Sequence, residues 1–129
     1  MSKRKASREW VMQKIYAHLV NHTEIQAAEI PANLDEAYIQ RTLSGINSHQ
    51  DTIAKSISTY ISIPLEKIDT IELSILNLAC YEIIYDNSIP VNVSINEATE
   101  LCKRFGGAMS YKFINATLDA MVKGQQLSL

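Results

Sequence analysis

Few residues in this chain have the type and spacing to do chemistry. His18 and His22 stand four apart in a segment of helical periodicity, so both imidazoles share a face and could hold a metal ion. No Glu adjoins His18 as in the zinc-protease pattern and no third ligand is evident, so the pair reads as helix-end histidines and no metal is expected. Cys80 and Cys102 fall inside apolar helical patterns rather than in a close-spaced metal pair, which makes them reduced core thiols. Gly106-Gly107 lacks the further glycines and the Lys-Ser/Thr pair of a phosphate-cradling loop, and no Gly-x-Ser-x-Gly nucleophile context occurs. The carboxylates with the most organised surroundings are Glu72, Glu82, Glu97 and Glu100. Glu72 and Glu97 read as capping-box residues, which removes them from an acid/base pair. No active site and no cofactor are expected.

Charge is more informative than any catalytic pattern. Lys3, Arg4, Lys5 and Arg8 all precede the first acidic residue, Glu9, so the formal net charge of −2 conceals a positive start on a more acidic remainder. Such a start suits the phosphate backbone of a nucleic acid, and the same composition also describes a solvated tail.

The elements that carry these residues are helical by composition and by period. At 129 residues and 47% hydrophobic, the chain is the size of one domain able to bury a core without staples, and its 4 Gly and 3 Pro are too few for a loop-rich β-sandwich. The basic start leads into an amphipathic stretch broken by Arg8, Glu9, Gln13 and Lys14, not into a signal-peptide apolar region. No run approaches the roughly 18 apolar residues that span a bilayer, and a cytoplasmic protein is expected.

Val11, Met12, Ile15, Tyr16 and Leu19 predict a first helix from about Ser7 to Val20, followed by a connector through Asn33 that contains Pro31. Ile39, Leu43 and Ile46 predict a second helix from about Leu34 to Ile46. Asp51 reads as the N-cap of a third, which Pro64 ends or which gives way there to the next. Asp69 and Glu72 form a capping box, flanked by Ile68 and Leu73 as a hydrophobic staple. The helix they open runs to about Tyr85 and is apolar on nearly every side, as befits the middle of a bundle. A second capping box, Ser94-Ile95-Asn96-Glu97, predicts a helix that Gly106-Gly107 stops in the left-handed manner. A last helix from about Ser110 to Lys123 ends at Gly124. The expectation is an all-α single domain over 1–129 with six or seven helices, its seam at Ile63–Glu66 dividing an N-terminal half, about 1–63, from a C-terminal half, about 64–129.

From Ile71 onward the chain resembles the NusB family. The resemblance is carried by Glu72, Leu76, Ala79, Tyr81 and Glu82; then by Ile89, Pro90, Val93, Ile95, Asn96, Glu97, Ala98, Glu100, Leu101, Lys103, Phe105 and Gly106; and finally by Lys112, Phe113, Asn115, Leu118 and Asp119. In the N-terminal half, the basic start, Arg8-Glu9 and Gln13 followed by Ile15-Tyr16 are similar to the family's first helix.

This resemblance implies the NusB fold, two packed three-helix groups. It also implies a non-catalytic transcription antitermination and termination factor that binds boxA-type single-stranded RNA with ribosomal protein S-ten (NusE). Such a factor works in the RNA polymerase antitermination complex and supports ribosomal RNA transcription. By the same resemblance RNA contacts fall to Arg4, Lys5, Arg8, Tyr60, Lys112 and Phe113, and partner contacts to Tyr16 and Glu72. Core packing is the competing role for Tyr60 and Phe113, and the capping box for Glu72.

Three positions depart from the family pattern. Asn77 replaces an Arg, Met109 replaces a common acid, and Ala116 replaces a Gly at what reads as a close helix contact. Some relatives are dimers that hide the RNA surface, and a homodimer is a further expectation. A related helical domain occurs fused to RNA methyltransferases, but within these 129 residues no cofactor-binding domain is expected. The alternative function is a helical protein-interaction module without direct RNA binding.

Overall fold

The first helix begins about one turn earlier than its apolar periodicity indicates, because Ser2 caps it: the Ser2 hydroxyl accepts from the Lys5 N–H at 3.1 Å. In the computed structural model, which describes residues 2–25 and 29–125, α1 spans Lys3–Asn21. The basic residues therefore lie on the helix itself and not on an arm ahead of it. Helix α1 ends at His22 in the left-handed region, φ 57°, and the His18 ring bonds the Thr23 carbonyl. The two histidines thus finish the helix, and no cluster of three or more metal-binding side chains occurs among the described residues. Part of the predicted connector, residues 26–28, lies outside the described residues.

Asp35 caps α2 (Glu36–Ser48) by accepting from the Tyr38 N–H. His49 then ends α2 and starts α3 (Gln50–Thr59), with no side-chain cap. Asp51 is therefore in the first turn of α3 and is not its cap. A 3₁₀ turn over Leu65–Lys67 leads to α4 (Thr70–Tyr85), where the Asp69 carboxylate accepts from the N–H groups of Ile71 and Glu72. The return bond from Glu72 that would complete a capping box is not formed among the described residues.

The second capping box does not exist as one. Helix α5 (Val91–Phe105) starts directly after Pro90, so Ser94 is interior and buried. The pre-set φ of Pro90 fixes the start without a side-chain cap. Gly106 follows in an extended conformation, φ −91° and ψ −178°, and no described glycine has positive φ, so the stop is not left-handed. Glycine is needed there for space, since a Cβ would lie 2.9 Å from the Cys102 carbonyl oxygen and from the Ser110 Cβ. Helix α6 (Ser110–Gly124) closes the described chain.

Six α-helices and one 3₁₀ turn make an all-α fold with no strand among the described residues. Helix α1 packs on both α2 and α4, and α5 and α6 pack on each other and on α4. Apolar on nearly all sides, α4 packs against each of the other five α-helices, and Ile75, Leu76 and Cys80 on it are fully buried. One core cluster draws on every α-helix: Ile15, Ile39, Ile53, Leu76, Cys102 and Leu118 all belong to it. Burial pushes both thiols up to about 12, so Cys80 and Cys102 stay protonated in the core. Close approach occurs at Gly45, where a Cβ would sit 2.1 Å from the Tyr81 ring, and at Gly124 against Tyr60. Ala116, the position where a small residue is expected to matter, is exposed. No described helix is long and apolar enough to cross a membrane.

Candidate nucleic-acid interface

Helical rise spreads the four cations of the α1 start over different faces, and the tertiary fold pairs three of them. Arg4 donates through Nε and Nη2 to Asp35 Oδ2 at 3.2 and 3.1 Å and lies 4.6 Å over the Tyr38 ring. Lys5 Nζ lies 2.7 and 3.0 Å from the two Glu97 carboxylate oxygens across the gap to α5. Both side chains remain substantially exposed, at 38% and 47%.

Arg8 is different. Its side chain is 5% exposed and bonds Glu82 through Nε at 2.8 Å and Nη2 at 3.1 Å, a bidentate pair on a carboxylate that is itself 1% exposed. Tyr38 and Ser94 also donate their hydroxyls to that carboxylate, the latter at 2.7 Å, so one buried group ties α1, α2, α4 and α5 together. Burial opposes the Arg8 charge, but the bond to Glu82 and its negative field outweigh this and hold the guanidinium above its ordinary value. Burial and the same carboxylate push the Tyr38 phenol well up, which keeps it a donor.

The Arg8 guanidinium is enclosed and already matched, unlike the exposed cation that the expected RNA contact calls for. A sequence signal for this existed in Glu82, a carboxylate among the apolar residues of the α4 interior, since charges at such positions are buried only when paired. Sequence reading missed two other cations in the same neighbourhood. Arg41 binds Asp86 at 2.9 Å, and Arg104 binds Glu9 at 2.8 Å, two turns further along α5 than the Lys5 pair.

The start of α6 has the opposite character. Its first turn holds no acid and no side-chain cap. Lys112 is exposed, with no ion pair or side-chain hydrogen bond among the described residues. Phe113 is half-buried: part of the ring packs on the core and part is open. Met109, at the entry to the helix, is 60% exposed and puts no negative charge beside Lys112. Tyr60 does not join this group. It ends α3 and packs over Gly124 at the other end of α6, where a Cβ would be 2.4 Å from its hydroxyl oxygen. Phe113 and Gly124 are eleven positions apart along α6, about 16 Å of rise, so one base cannot stack on both rings.

For the partner side, Tyr16 is 38% exposed, and Val20 one turn later is 48% exposed. Glu72 is half-buried without a hydrogen bond or ion pair among the described residues, so its capping role is absent and its carboxylate is available. Asn77, where the family pattern has Arg, donates back to the Leu73 carbonyl at 2.8 Å along its own helix.

Comparison with known proteins gives a consistent result. The NusB family profile matches residues 5–123. Among curated relatives, "Transcription antitermination protein NusB" of Dehalococcoides mccartyi is 38% identical, with 95% of this chain and 90% of that protein covered. The protein of the same name from Bacillus subtilis is 37% identical over 90% and 92%. Among solved structures, NusB of T. maritima superposes with a TM-score of 0.86 at 27% identity, covering 95% of this chain and 92% of the other. The fold is shared as well with a crystal structure of antitermination factors NusB and NusE in complex with double-stranded RNA, with a TM-score of 0.80, 19% identity, and 96% and 98% coverage.

Proposed function

This chain belongs to the NusB family, and from that premise we propose that it is a non-catalytic transcription antitermination factor. It binds boxA-type single-stranded RNA together with ribosomal protein S-ten (NusE), as part of the RNA polymerase antitermination complex that supports ribosomal RNA transcription. The observation that carries this reading is the match over residues 5–123, joined to an acid-free helix start bearing an unpaired cation and a half-open aromatic ring. Lys112 attracts phosphate, and the helix dipole at the start of α6 adds partial positive charge. The open part of Phe113 offers a face on which an unpaired base stacks.

Arg4 and Lys5 contribute by exchanging Asp35 and Glu97 for phosphate, which makes them weaker contacts than their charge suggests. Arg8 acts indirectly, by fixing the orientation of α1 through Glu82. An RNA strand that reaches both Phe113 and Tyr60 runs along α6. Tyr16 and Glu72 present the face for S-ten.

A gel-shift titration with boxA-type RNA, with and without purified S-ten, tests the proposal. The expected result is weak binding alone and much tighter binding with the partner. Retention of S-ten without any RNA binding would establish the alternative, a helical protein-interaction module.

A further inference from the structure

Helix α5 is flanked by α1 on one side, through Lys5–Glu97 and Arg104–Glu9, and by α6 on the other. The α6 side holds an open cleft of about 470 Å³. Asn92, Asn96, Thr99 and Lys103 line it from α5 at helical spacing, and Tyr111 and Asn115 face them one turn apart on α6. No carboxylate lines it, although the chain as a whole is net negative.

The side chains of Asn92, Asn96 and Asn115 are exposed and have no hydrogen-bond partner among the described residues, and what sets them apart from the exposed Asn21, Asn33 and Asn87 is that all three line one cleft. Lys103 Nζ lies 5.3 Å from the Tyr111 ring centroid and makes only an exposed 3.7 Å contact with Glu100. A free carboxamide offers one acceptor and two donors in a plane, the complement of a base edge. A tyrosine ring with a movable lysine above it offers a stacking face and a phosphate ligand.

We propose that the cleft between α5 and α6 seats one unpaired nucleotide of single-stranded RNA, its base edge read by Asn96 and Asn115, its ring stacked on Tyr111 and its phosphate met by Lys103. This rests on the RNA-binding reading above and extends it to a subsite beyond the Lys112–Phe113 surface. Lys103 leaves the Tyr111 ring for the phosphate as the base arrives. The carboxamides provide selectivity among bases, which Lys112 and a stacking ring alone do not.

The test is a mutant cycle between protein and RNA, with the full chain bound to S-ten. A boxA-type single-stranded RNA is made with one abasic nucleotide at a time and titrated against wild type, Asn96→Ala/Asn115→Ala, and the milder Asn96→Ser. All altered side chains are exposed, so circular dichroism and the melting temperature are expected to be unchanged. Wild type is expected to show a position where base removal weakens binding about tenfold, and the double variant to bind intact RNA about tenfold more weakly with no further loss at that position. Lys103→Ala is expected to reduce the salt slope by about 0.7. Penalties that simply add at every position would overturn the subsite while leaving Phe113→Ala free to weaken binding, and so would a double variant with wild-type affinity. Failure of wild type to bind any of the RNAs would overturn the functional reading itself.

Discussion

The starts of α1 and α6 carry cations in opposite circumstances. The α1 start has four cations within six residues, yet Arg8 is enclosed by Glu82, and Arg4 and Lys5 are held by Asp35 and Glu97. The α6 start has a single cation, Lys112, with no acid in its turn and a half-open Phe113 beside it. What attracts a phosphate is charge not already matched by a carboxylate, so the sparser region is the stronger candidate for contact. The denser one is largely a structural joint that fixes α1 against α2, α4 and α5.

The contrast is broken or sharpened most directly at Arg8. Arg8→Ala leaves the buried Glu82 carboxylate without its cation and is expected to cost about 3 to 5 kcal/mol, read as a lowered denaturation midpoint. RNA affinity per folded molecule should change little. Full stability with collapsed RNA affinity would mean that Arg8 faces the ligand.

Phe113→Ala comes next in size. A loss of about 1 to 3 kcal/mol in RNA affinity is expected, the scale of one base on an aromatic platform. Its partial burial adds some loss of stability, so affinity is measured well below the midpoint of unfolding. A shift in stability alone would assign the ring to the core.

Salt dependence separates the two regions by charge. Lys112→Ala is expected to reduce the slope of log K against log salt by about 0.7, one contact on a single strand. Arg4→Ala/Lys5→Ala is expected to reduce it by less than roughly 1.4, because each cation must first give up a carboxylate. A full two-contact change from the α1 pair, with none from Lys112, would reverse the comparison.

The smallest effect on the fold is expected at the start of α4, which shows the same rule for an acid. Asp69→Ala removes the working cap and should cost about 1 kcal/mol. Glu72→Lys touches no described partner and should alter stability by less than about 0.5 kcal/mol while weakening S-ten retention in a pull-down. Unchanged retention would remove Glu72 from the partner face.

Much of this was legible from the chain alone, because helices follow local rules. The apolar period of α4, its Asp69 cap and the near-absence of glycine and proline required a helical bundle with α4 inside it, whatever its neighbours. Boundaries were less legible where two local signals competed. Ser94 satisfies a capping pattern, but Pro90 starts the helix earlier and makes the serine an interior donor to Glu82. At Gly106 the residue type suggested handedness, whereas the structure requires it only for closeness to Cys102 and Ser110.

The candidate site divides along the same line. The family resemblance singled out Lys112 and Phe113, and the structure shows an exposed cation beside a half-buried aromatic ring within one helical turn. Whether a charge is free is a property of what lies across from it, and for Arg4, Lys5 and Arg8 the partners stand 31, 92 and 74 residues away. Tyr60 was separated from Phe113, and Asn96 was brought opposite Asn115, by the packing of α6 against α3 and α5. Helical period and caps act within a few residues and can be read in order along the chain. Electrostatic pairing and clefts arise between segments, so only the tertiary structure decides them.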